Sequence, residues 1–275
     1  GTCFADIGHQ VYCVDKDVSK INKLNSGISP IYEPGLDELI KKNHKAKRLY
    51  FTSNLKKAIT ASDIIFICVG TPNIKGSLKV NLSFVFKCTK EILSITKKKK
   101  IIVTKSTVPV GTGDQIENII KKKRKLFSVI SNPEFLREGE AIRDFRYPDR
   151  IVIGSNNKNE FKIMKKLYSP LINKGAKFFS TSRRGAELIK YAANAFLATK
   201  ITFINEIANL CEKSGINVED IALGIGSDTR IGSRFLRPGP AYGGSCFPKD
   251  TKGLVSAAEK FKTNLSIVKS VIKSN

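Results

Sequence analysis

Ile64-Ile65-Phe66-Ile67-Cys68-Val69-Gly70 is apolar from its first residue to the glycine that ends it. A run this short and this continuous suits a strand of a parallel sheet covered on both faces, where no side faces water. Thr71-Pro72 follows as a turn at the strand's carboxyl end, the edge at which open α/β sheets bind ligands. Upstream, the first residues read as a helix stopped by Gly8, then a strand, VYCVD (11–15), closed by Asp15. A helix over 17–25, a loop over Ser29–Gly35 and a helix over 36–43 come next. Downstream, a helix over 81–96 precedes the strand IIVTKS (101–106), which runs into Thr107-Val108-Pro109-Val110-Gly111. A helix over 112–123 then leads to the strand LFSVI (126–130) and on to Ser131-Asn132-Pro133-Glu134. RIVIG (150–154), a helix over 159–169 and AKFFS (176–180) complete the alternation. Strands alternating with helices predict a doubly wound, Rossmann-like parallel sheet over residues 1–182.

Near residue 183 the texture changes to all-α, which marks 183–275 as a second, helical domain. Residues 185–215 hold no glycine or proline between their ends and are apolar almost all round, as in a long buried helix. Lys190 and Asn194 are four apart on it and share a face. An ammonium in the surroundings IKYAANAF needs a partner, and a substrate oxygen becoming negative would serve as one. A second helix, VEDIALGIG (218–226), is followed by irregular chain and then by Gly243-Gly244-Ser245-Cys246-Phe247-Pro248-Lys249-Asp250. The glycines allow close backbone approach, and Pro248 suits the first position of a helix. Cys246 therefore precedes a helix N-terminus, where free N–H groups, the helix dipole and Lys249 all favour a thiolate. Most cysteines are ordinary buried thiols, but these flanks point to a nucleophile, with Asp250 one turn on to handle protons. Glu134 and Glu138, also four apart, read as a solvated pair or as acid–base groups at the carboxyl edge, where Thr107 offers a hydroxyl.

The 275 residues are 41% hydrophobic and 26% charged, a globular composition with chain enough for two domains. Neither a membrane span nor a signal peptide stands out, and the six scattered cysteines form no CxxC pair, so no disulfide framework or metal site is expected. The expected compartment is the cytoplasm. The net charge of +24 comes from lysine clusters at Lys41-Lys42, Lys97–Lys100 and Lys121–Lys125, without interleaved aromatics. That pattern argues against nucleic-acid binding but would favour phosphate-bearing ligands.

CVGTP (68–72), KSTVPVGTG (105–113), SNPEFLREGEAIRDF (131–145), AELIKYAANAFLATKITFINEIANLCE (186–212) and DTRIGSRFLRPGPAYGGSCFPKD (228–250) together resemble the UDP-glucose/GDP-mannose dehydrogenase family. The likeness covers essentially the whole chain, and GGSCFPKD with AELIKYAANAF carries most of its specificity. It implies oxidation of a sugar C6 alcohol to a carboxylate in two hydride transfers to NAD. By the same resemblance Cys246 traps the aldehyde as a thiohemiacetal that becomes a thioester. Lys190 and Asn194 would stabilise the oxyanion, and Asp250 would assist proton transfer and hydrolysis. Thr107 and Glu138 match positions that orient water and border the cofactor. On the substrate side the matches are Glu134, Phe135, Leu136, Arg137, Lys190, Asn194, the loop Phe235-Leu236-Arg237-Pro238-Gly239, and Gly243. Arg230 matches an arginine that one subunit lends to its neighbour in a homodimer built on the central helices. Asp15, Lys20, Thr71 and Lys249 are matched on the cofactor side.

The family's first strand and GxGxxG loop are expected before residue 1, and its last α/β domain after residue 275. On that expectation the stretch 1–275 alone would hold NAD weakly and turn over no substrate. RIGSRFLRPGPAYGG favours UDP-glucose as substrate, with GDP-mannose or a UDP-linked N-acetyl sugar as the alternatives. A cysteine acyl hydrolase, the rival of another class, needs a histidine base, and the only histidines are His9 and His44, neither in a motif.

Overall fold

A computed structural model describes residues 1–123 and 125–275. In chain order its elements are α1 (Thr2–Asp6), β1 (Val11–Val14), α2 (Val18–Asn25), α3 (Leu36–Lys45), β2 (Leu49–Thr52), α4 (Leu55–Ala61) and β3 (Ile64–Ile67). Then come α5 (Ser83–Ile95), β4 (Lys100–Thr104), α6 (Thr112–Ile120), β5 (Phe127–Ser131), α7 (Ala141–Arg146), β6 (Arg150–Gly154), α8 (Lys158–Leu167), α9 (Ser169–Ile172) and β7 (Lys177–Thr181). The rest is helical: α10 (Arg183–Ser214), α11 (Val218–Gly226), α12 (Phe247–Lys260) and α13 (Ser266–Ser274). Among the described residues, no helix is long and apolar enough to cross a membrane.

Two compact units divide the chain. One is Gly1–Gly70, Ser83–Ser106 and Gly111–Glu187; the other is Thr71–Leu82, Thr107–Val110 and Leu188–Asn275. In the first unit the strands run parallel, as the alternation predicts, with Ile64 beside Ile101 and Lys100 beside Phe127. Two features depart from a single all-parallel sheet. β1 and β2 form a pair of their own, apart from the five-stranded sheet β3-β4-β5-β6-β7. β6 is antiparallel to β5, and the two overlap only at Ser131 and Gly154, their last residues.

Packing follows from the apolar faces. Phe4 of α1 lies against Phe66, Phe145 and Tyr168, and joins Val103, Ile130, Ile151, Ile153 and Met164 in one buried cluster. Ala5, on the next position of the same helix, faces a second cluster with Ile21, Ile40, Leu49 and Phe51. Local chemistry sets the helix starts. Asp17 accepts a hydrogen bond from the Lys20 N–H to cap α2, and Asn54 accepts from Lys57 N–H to cap α4. β2, α4, α7 and α9 are elements that the hydrophobic pattern did not separate from loops. Lys100, which reads as the end of a solvated lysine run, begins β4 and is 5% exposed. Its ammonium donates to the carbonyls of Thr60 and Ser62, and so closes the end of α4.

In the second unit α12 packs on α10 through Tyr191, Ala195 and Leu254, and α13 adds Val268. The predicted helix over 185–215 is present as α10, but it is not buried all round. Leu188, Phe196, Phe203 and Leu210 leave a stripe open to solvent, at 45%, 66%, 50% and 62% exposure.

Candidate active site

Within the second unit, a lysine, an asparagine and an aspartate are buried near the apolar contact of α10 with α12. Lys190 is 4% exposed and Asn194 6%, both on the face of α10 that meets α12. Asn194 Nδ2 donates to Asp250 Oδ2 at 2.6 Å, and the Lys249 ammonium donates to the other oxygen, Oδ1. Asp250 is wholly buried, so both carboxylate oxygens need these partners. Gly253 makes the close approach possible, because a Cβ there would lie 2.8 Å from Tyr191 Cε1.

Cys246 sits as read from the sequence, at the N-cap of α12 with Pro248 in the first turn, and it is exposed. Ser245 Oγ lies 3.6 Å from its sulfur. The Asp250 N–H donates to the Cys246 carbonyl at 2.8 Å, so the thiol and the buried carboxylate share one helical turn. An exposed sulfur one helical turn from a buried, paired carboxylate is an arrangement suited to covalent chemistry at a carbonyl carbon.

The loop ahead of it is tied to the same long helix. Lys200 donates to the carbonyls of Ile231 and Gly232, each at 3.0 Å, and Asn205 Oδ1 accepts from the Gly239 N–H at 2.9 Å. Leu236 is buried at 3%, while Arg237, Gly239 and Gly243 are exposed and Pro238 is half-buried. Phe235 takes a left-handed backbone, φ 65°, and its ring meets Phe247 at 6.0 Å. Arg230 pairs with Asp228 and stands 87% exposed. Thr71 Oγ1 donates to the Thr107 carbonyl at 2.8 Å, which joins the turns that follow β3 and β4. Lys200 and Asn205 were not singled out in the sequence; their signal was the same as that of Lys190, polar residues on an apolar helix.

The remaining predicted residues lie in the first unit. β1 ends at Val14, one residue short of the expected strand, and Asp15 follows it directly; its carboxylate accepts from Lys20 Nζ at 2.6 Å and from the Asp17 N–H at 3.1 Å. The Lys20 ammonium and the Asp17 amide hold that carboxyl below the usual carboxylate range. An ionised acceptor at a strand's carboxyl end fits the hydroxyls of a dinucleotide's ribose. Glu134 and Glu138 do not share a helix face: residues 132–137 follow β5 as irregular chain. Glu134 Oε2 instead accepts from the Leu136 N–H at 2.6 Å, and Glu138 is exposed. Arg137 is engaged by Asp144 at 2.6 Å and by Glu140, and Phe135 lies under the Arg150 guanidinium at 4.0 Å.

Residues 1–172 match the UDP-glucose/GDP-mannose dehydrogenase family, NAD binding domain, and residues 184–275 match the central domain of the same family. The whole chain is 53% identical to a UDP-glucose 6-dehydrogenase of Rhizobium meliloti (strain 1021) and covers 64% of it. A solved UDP-glucose dehydrogenase from Pyrobaculum islandicum is similar over the whole chain and 64% of its own, with 36% identity and a TM-score of 0.94. A solved GDP-mannose dehydrogenase from Pseudomonas aeruginosa matches with 35% identity and a TM-score of 0.79, again over the whole chain and 64% of its own. The chain thus spans under two thirds of the length of the curated relatives it matches.

Proposed function

The chain belongs to the UDP-glucose/GDP-mannose dehydrogenase family, carrying its NAD-binding and central domains, and from that premise we propose that the protein oxidises the C6 alcohol of UDP-glucose to UDP-glucuronate. Residues 1–182 act as the NAD-binding domain and 183–275 as the central helical domain. The observation that carries the reading is the Cys246 turn: an exposed thiol whose helix also presents Asp250, bound through Asn194 to the helix of Lys190.

NAD, when bound, accepts a hydride from C6 in each of two oxidations. Asp15 and Lys20 hold it on the ribose side, with Thr71, Thr107, Glu138 and Lys249 bordering it. The first oxidation leaves an aldehyde and releases the alcohol proton. The Cys246 sulfur then adds to the aldehyde carbon; a C–S bond forms and the carbonyl oxygen gains negative charge, which Lys190 and Asn194 stabilise. The second oxidation turns this thiohemiacetal into a thioester. Water positioned by Thr107 and Glu138 attacks the acyl carbon, the C–S bond breaks, and Asp250 handles the proton as the thiolate is regenerated. Glu134, Phe135, Leu136, Arg137, the loop 235–239 and Gly243 hold the nucleotide sugar.

A second copy of the chain covers the stripe Phe196, Phe203 and Leu210, spaced by seven on α10, and Arg230 reaches into the neighbouring site. The reaction belongs to the cytoplasm. GDP-mannose is the alternative substrate, supported by Leu236-Arg237-Pro238-Gly239 and by the likeness to the Pseudomonas enzyme. NAD reduction by the full-length protein, offered UDP-glucose, GDP-mannose and a UDP-N-acetyl sugar in turn, tests the assignment. Turnover of UDP-glucose at least tenfold above the others is expected, and preference for another sugar would overturn it.

A further inference from the structure

Glu187 belongs to no predicted set, yet its carboxylate is among the most completely hydrogen-bonded in the chain. It is 3% exposed. Oε2 accepts from the Gly111 N–H at 2.7 Å, and Oε1 accepts from the Gly113 N–H at 2.8 Å and from Ser131 Oγ at 3.0 Å. Gly111 is the N-cap of α6, with φ +90°, and Gly113 lies in its first turn, so both amides lack partners inside that helix. Gly113 is also where a side chain would intrude, since a Cβ would stand 2.9 Å from Glu187 Oε1 and 3.1 Å from Arg183 Cδ. A carboxylate buried this deeply is costly unless every lone pair is used. Here two backbone amides and a hydroxyl, drawn from two other segments, offset part of that cost, although burial still pushes the carboxyl up.

The position on α10 gives the cluster its consequence. Lys190 and Asn194 follow Glu187 by three and seven residues, so the three fall on one face of one unbroken helix. We infer that Glu187 is a positioning residue for the oxidation: its carboxylate fixes the rotational phase of the N-terminal part of α10, and with it the direction in which Lys190 and Asn194 present their polar atoms. This rests on the reading of Lys190 as the group that stabilises the oxyanion. A hydrophobic side chain would fill the same space but would leave the two amides unsatisfied and the helix free to rotate by a fraction of a turn.

Glu187→Gln in the full-length protein keeps the shape and turns an NH2 donor toward one of the amides. The expected result is a fall in kcat of about tenfold, with the KM values for NAD and UDP-glucose within threefold of the parent and faster hydrogen exchange at Gly111 and Gly113. A double-mutant cycle with Lys190→Ala separates positioning from plain stability. If Glu187 acts through Lys190, Glu187→Gln changes kcat by less than threefold in the Lys190→Ala background. Equal effects in both backgrounds, or faster exchange with kcat unchanged, would overturn the inference. Should Glu187→Gln fail to fold, Gly113→Ala presses on the same carboxylate from the other side, and unchanged kcat there would overturn it too. A Lys190→Ala single variant with full kcat would instead sink the underlying assignment, whatever Glu187 does.

Discussion

At the scale of single residues, what the sequence revealed is a matter of contrast with surroundings. Lys190 and Asn194 stand out because IKYAANAF is otherwise apolar, and both are buried. Cys246 stands out by its flanks, and it is indeed the N-cap of a helix that opens with Phe247-Pro248. Glu187 did not stand out, because a glutamate near the start of a long helix is an ordinary helix former. Its partners, Gly111 and Gly113, are 76 and 74 positions away, and nothing local reports them. Glu134 and Glu138 show the opposite failure, where a spacing of four suggested a shared face, but residues 132–137 are irregular chain. A prediction belongs here. Lys190→Ala should lower kcat by roughly 10²-fold, as loss of one oxyanion partner does, while substrate affinity changes little. Steady-state kinetics check it, and a pure KM effect would reassign Lys190 to substrate binding.

Elements were legible where their period was long and their ends were marked. α10, α12 and the strands over 64–67, 100–104 and 127–131 lie within a few residues of the expected spans. β2 and α4 were missed because LYFT and LKKAITA are too short for a period to develop between polar neighbours. Two predictions test the packing of elements. Gly253→Ala gains helix propensity worth about 0.5–1 kcal/mol, but its new methyl meets fully buried Tyr191 at 2.8 Å. Overpacking of this kind costs about 1–3 kcal/mol, so net destabilisation in urea titration is expected, and stabilisation would mean that α12 shifts freely on α10. The second concerns α1. Burial alone would raise the Asp6 carboxyl, but hydrogen bonds from Lys42, Arg146 and Asn43 outweigh it and hold it down at about 2, against an ordinary 3.8. A carboxyl depressed on folding stabilises the protein above its unfolded value, and that stabilisation is lost as pH falls toward the folded value. The stability gap between the parent and Asp6→Asn should therefore be constant above about pH 5 and narrow between about pH 4 and pH 2. A gap that stays constant to pH 2 would show that the Asp6 ion pairs contribute nothing to the fold.

At the scale of the whole molecule, fold class came from alternation and the family from motifs, while the antiparallel contact of β6 with β5 came from neither. Strand order depends on non-local pairing that the hydrophobic pattern does not encode. The stripe Phe196, Phe203 and Leu210 was misread as buried for a related reason: period reports that a face is apolar, not what covers it. Phe203→Glu should convert the proposed homodimer to a monomer in sedimentation velocity, and an unchanged sedimentation coefficient would place the subunit contact elsewhere. The central claim is that two oxidations of one sugar pass through a thioester on Cys246. Acid formation by the full-length protein with UDP-glucose and NAD, compared between the parent and Cys246→Ala, tests it most directly. The predicted result is two NADH per UDP-glucuronate for the parent, and no acid from the variant although it binds UDP-glucose with nearly the same affinity. Sustained production of acid by Cys246→Ala would contradict covalent catalysis at this residue.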